Sequence, residues 1–167
     1  VYSGPLSDNV AFKIGVHYNN DGGWFTNLAD GSSQGLAETL IVRPALTFKM
    51  SDTAELTLRY EHGDSNGDGP ASQNHGIYGR DTFDFAIDEK GTYDLKWDQG
   101  MAELSIDVGF GEGTITNLAA WRKSDSSSMG DIDATPSFLF HAPASTQAEQ
   151  FSNELRYSGR FDDRLDV

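Results

Sequence analysis

A chain of 167 residues, 37% hydrophobic and with a mean hydropathy of -0.49, carries too little apolar material for a deep two-sided core. Twenty-six acidic against twelve basic residues give a formal charge of -14, which excludes a phosphate-neutralising stripe and hence nucleic acid as a partner. The lack of cysteine excludes disulfide staples and thiolate metal sites, and no run approaches the roughly 20 apolar residues of a membrane-spanning helix.

Alternation with a period of two dominates from the start. Val10, Phe12, Ile14, Val16 and Tyr18 share one face of a predicted strand, and Lys13, Gly15, His17 and Asn19 share the other. A second strand, Leu40 to Met50, sets Leu40, Val42, Pro44, Leu46, Phe48 and Met50 against Arg43, Thr47 and Lys49. A tight turn at Ser51 to Thr53 leads to a third, in which Ala54, Leu56, Leu58 and Tyr60 oppose Glu55, Thr57, Arg59 and Glu61. The fourth runs from about Trp97 to Phe110, and Gly111, Glu112 and Gly113 turn the chain into a fifth, Thr114 to Lys123, of ambiguous phase. A sixth from Gln150 to Gly159, a short turn at Phe161 to Arg164 and a seventh beginning at Leu165 complete the pattern.

Three long links, Asn20 to Glu38, His62 to Lys96 and Ser124 to Glu149, follow the first, third and fifth strands, while the other links are short. All long links therefore leave one end of the sheet, and links of this length are uncommon inside compact soluble domains. The expectation is an all-β fold: an antiparallel transmembrane β-barrel segment of about six to seven strands, with extracellular loops above and periplasmic turns below. Residues 1–167 form one domain on this reading, and the lack of a signal peptide with strand-like residues at both ends suggests a fragment. Tyr18, Trp24, Phe25, Tyr60, Trp97 and Trp121 near the loop ends, with Phe48 and Phe110 below, suit two aromatic girdles. A soluble β-sandwich shares the alternation and is the principal rival on pattern alone.

The stretches SGPLSDNVAFKIGVHY, NDGGWFTN, IVRPALTFKMSDTAELTLRYEHG and QFSNELRYSG, in this order and spacing, resemble the barrel domain of a TonB-dependent outer-membrane receptor. Each is degenerate alone. The resemblance implies a Gram-negative outer-membrane location and a barrel of roughly 22 strands around an N-terminal plug. It also implies energy from the TonB complex and uptake of a scarce nutrient, most often a ferric siderophore. Outer-membrane lipid, the plug and TonB would be the partners. The plug and the TonB-gripping segment are not in this sequence. A general porin and a soluble secreted calcium-binding β-domain are the alternatives in function.

Arg43, Lys49, Glu55, Arg59, Glu103, Asp107, Glu154 and Arg156 fall on the polar face and are candidates to face the lumen and plug, pairing across the ladder. Trp24, Phe25, Phe83, Phe85, Phe138 and Phe140 are aromatic in otherwise polar links and are candidates for contact with cargo, or for packing loop on loop. Asp64, Asn66, Asp68 and Gly69 open like a calcium loop, but Pro70 and His75 occupy ligand positions, so a solvated loop is expected. His17, His62, His75 and His141 show no helical metal-ligand spacing. Asp131 with Asp133, and Asp162 with Asp163, lack any fixed geometry for glycosidase chemistry, and DSSSMGD from Asp125 reads as flexible loop. No catalytic constellation, cofactor or metal site is expected.

Overall fold

The computed structural model describes residues 1–161 and 165–167. The chain is all-β. Seven strands, β1 (Tyr2–Ser7), β2 (Val10–Thr26), β3 (Ser33–Lys49), β4 (Ala54–Gly67), β5 (Thr92–Val108), β6 (Gly113–Asp131) and β7 (His141–Ser158), form one open antiparallel sheet in sequence order. A 3₁₀ turn, Phe110–Glu112, joins β5 to β6, and a small hairpin pairs β8 (Arg160–Phe161) with β9 (Leu165–Asp166). No helix among the described residues is long and apolar enough to cross a membrane.

Register fixes which side chains share a face. Val10, Phe48, Leu56, Leu104, Asn117 and Leu155 lie in one row across β2 to β7, and Phe12, Leu46, Leu58, Ala102, Ala119 and Asn153 in the next. Pro44 keeps register with Ile14 of β2 but drops out of the ladder to β4, having no N–H to donate. Among the described residues nothing covers this apolar face: Val16 is 58% exposed, Phe151 71% and Leu155 72%. The true core is small and lies at one end of the strands, where Phe85, Ile87 and Ala134 pack together with Phe25 and Ala71.

Alternation of longer and shorter links holds, with 27–32, 68–91 and 132–140 at one end and 8–9, 50–53 and 109–112 at the other. The links are shorter than expected. Polar, turn-forming stretches continue as strands: Asn19, Asn20 and Asp21 pair with Thr39, Glu38 and Ala37, and Ser124 to Asp131 pair with Ala148 to His141. Backbone pairing to a neighbour already in register overrides the weak strand propensity of Ser, Asn and Asp. DSSSMGD is therefore strand rather than loop. The first strand of the sheet is β1, which the alternation did not reveal, and Leu165 begins the second strand of the small hairpin rather than a seventh wall strand. The expected turn at Phe161 to Arg164 and the pair Asp162 and Asp163 fall in part or wholly outside the described residues.

Candidate functional site

The polar face is concave. A cavity of about 610 Å³ opens on it, lined among others by Lys13, Arg43, Arg59, Glu61, Gln99 and Arg122 from four adjacent strands and their neighbour β6. Arg43 pairs with Glu61 across β3 and β4, and Arg59 Nη1 lies 2.6 Å from Glu103 Oε2 across β4 and β5. Trp97 Nε1 donates to the second oxygen of Glu61 at 2.6 Å, and its indole lies flat over Gly63, its cross-strand partner. Lys13 and Arg122 form no ion pair among the described residues, so the cavity wall is cationic within an acidic chain.

All eight expected polar-face residues share this face by register. Their pairing differs in two places. Lys49 reaches Asp52 in the adjoining turn, 2.8 Å away, instead of Glu55 opposite it, and Arg156 turns to Glu154 two positions back on its own strand. For Lys49 the local partner costs less side-chain ordering than the cross-strand one, whereas Arg156 stands opposite Thr116 and meets its acid only within its own strand. Asp107 accepts from Thr114 Oγ1 at 2.9 Å across β5 and β6.

Aromatic rings on the apolar face direct their polar tips to the loop end. Tyr18 Oη donates to Glu38 at 3.2 Å, Tyr60 Oη to Asp98, and Trp121 Nε1 to Glu149 at 2.7 Å. A polar row, His62, Asp98, Lys123 and Glu149, closes the apolar band immediately above Tyr60 and Trp121. At the turn end Tyr157 Oη donates to the Phe110 carbonyl at 2.7 Å, and Phe110 packs on Tyr157 and Phe161. Trp97 does not belong to this set, because odd positions of β5 face the cavity.

The loop-end aromatics divide. Trp24 stacks on Phe25 with ring centroids 4.2 Å apart, and Phe83 meets both edgewise. Phe85 is 2% exposed and is core, so it has no surface to offer a ligand. Trp24, Phe83, Phe138 and Phe140 remain exposed. Asn27, itself buried, pairs with both the N–H and the carbonyl of Ile87, which pins the 68–91 link to the β2–β3 connection.

The calcium-like residues do not form a loop. Asp64 and Asn66 lie on one face of β4, with Asp64 3.3 Å from Lys96 Nζ. Asp68 accepts the Gly35 and Leu36 N–H groups and faces Lys90 at 3.1 Å. A second acidic group, unseen in the sequence, does assemble. Asp88, Asp131 and His141 bring one ligand atom each to within 4.8 Å of one another. Asp88 holds the His141 imidazole above the ordinary histidine range, and burial pushes the Asp131 carboxyl up, with Asp133 and Asp88 adding repulsion.

No family model, curated protein or solved structure matches this chain.

Proposed function

We propose that this chain is part of the wall of an outer-membrane receptor of the TonB-dependent kind, which binds a scarce nutrient, in the leading case a ferric siderophore, and passes it inward without covalent chemistry. The observation that carries the reading is the uncovered apolar band, bounded by aromatic rings whose polar tips turn away from it. Val10 to Tyr18 spans eight steps of about 3.3 Å, or about 26 Å along the strand. Tilted by roughly 40°, that is about 20 Å, close to the roughly 25 Å apolar height of outer-membrane barrels. The concave cationic wall, with Lys13 and Arg122 unmatched, fits a plug surface or an anionic iron chelate. Lipid would wet the apolar face, and the plug and the TonB complex would complete the machine.

The test uses the natural, complete gene product reconstituted with phospholipids brominated along their acyl chains. With every tryptophan of that product except Trp121 replaced by Phe, Trp121 emission falls strongly on reconstitution, and the protein fractionates with outer membranes. Unquenched Trp121 in a freely soluble protein sinks the reading. Deleting the gene then lowers uptake of ferric chelates only in cells that retain TonB.

A further inference from the structure

We propose that Asp88, Asp131 and His141 form a binding site for a divalent transition-metal cation of the zinc class, which ties the 68–91 link to the mouth of the β6–β7 hairpin. Asp131 ends β6 and His141 begins β7, and the two are cross-strand partners. Asp88 follows the buried Phe85–Ile87 segment, whose anchoring by Asn27 delivers it to that mouth.

Asp131 is 1% exposed; one carboxylate oxygen accepts the Ala134 N–H at 2.9 Å, and the other has no hydrogen-bond partner among the described residues. A buried carboxylate oxygen without a donor is costly, and no Lys or Arg forms an ion pair with it among the described residues. The Asp131 carboxylate lies beside Asp88 and His141, one ligand atom of each being within 4.8 Å of the others, and His141 Nε2 is 2.9 Å from Asp88 Oδ1. Two carboxylates facing one imidazole repel unless a cation or a proton sits between them. Ligand atoms within 4.8 Å of one another need only a small closure to reach the roughly 2.0–2.2 Å metal–ligand distances of zinc. Phe138 meets the His141 ring edge-on, with centroids 4.6 Å apart, and holds the imidazole in place. Asp133 is excluded as a ligand, since its oxygens are taken by Thr135 and the Phe140 N–H.

Mixed imidazole and carboxylate donors select a borderline cation such as zinc over calcium, which takes six to eight oxygens. Three protein ligands leave one tetrahedral position for water. The inference concerns the loop end alone and does not depend on transport.

The test strips the folded gene product with chelator and titrates zinc against a chromophoric competitor, with amide exchange measured on the same samples. One zinc per chain is expected, with slowed exchange around residues 85–91 and 131–141. Asp131→Asn and Asp88→Asn should each weaken zinc binding at least tenfold; Asp88 is the more exposed, so that variant decides if the other fails to fold. Zinc binding that is absent from the native protein, or unaltered in a folded Asp88→Asn, overturns the proposal. Equal protection by calcium overturns the assigned class of metal. Proton occupancy alone would appear as a native protein that ignores zinc and an Asp131→Asn variant that melts unchanged.

Discussion

Replacing Gly63 by Ala tests how the cavity wall is built. A Cβ at Gly63 would come within 2.0 Å of Trp97 Cζ2 and 2.2 Å of Cε2, so the indole must swing off the strand. That movement breaks the Nε1 bond to Glu61, a bond to a charged acceptor worth about 1.5–3 kcal/mol, and the crowding itself costs about 1–3 kcal/mol. Because Trp97 is only half-buried and can escape outward, the two overlap, and a net loss of about 2 kcal/mol is expected. Urea unfolding of the reconstituted protein reads it as a lower midpoint at constant slope. The decisive arm is Gly63→Ala in a Trp97→Ala background. There the clash is gone, and alanine should be neutral or better than glycine by about 0.5–1 kcal/mol, since it loses less chain entropy on folding. If Gly63→Ala costs the same in both backgrounds, the glycine serves the backbone and the account of the indole packing on it is wrong.

Two further substitutions probe the ends of the sheet. Asn27→Ala strands the buried N–H and carbonyl of Ile87 and should cost about 2–4 kcal/mol locally, seen as roughly 30- to 1000-fold faster exchange of the Ile87 amide; an unchanged rate would show that the link does not depend on Asn27. Tyr157→Phe removes the bond to the Phe110 carbonyl and should lower stability by about 0.5–1.5 kcal/mol, with a midpoint equal to the parent's refuting any contribution of that hydroxyl to the turn.

The strands legible in the sequence are those where apolar residues recur at every second position, as from Val10 to Tyr18 and from Leu40 to Met50. Their polar extensions were not legible. Ser124 to Asp131 become strand only because β7 runs alongside, and that pairing is a long-range fact. For the same reason the polar-face set Arg43 to Arg156 could be sorted by parity, while the partners of Lys49 and Arg156 depended on a nearby turn and an in-strand neighbour. Trp97 looked like its neighbour Trp121 by position along the strand, yet one step of parity puts it on the other face. Phe85 was indistinguishable from Phe83 in sequence, and burial separated them. Asp88, Asp131 and His141 carry no spacing signal at all. They meet because a buried FAI segment is pinned beside a hairpin mouth.

The 68–91 and 132–140 links share one small apolar cluster, and the 27–32 link is bridged to it through Asn27, while the far end has a separate tie in the packing of Phe110 on Tyr157 and Phe161. The loop end of the sheet is thereby drawn together like a purse, with Trp24 and Phe83 on its exposed lip.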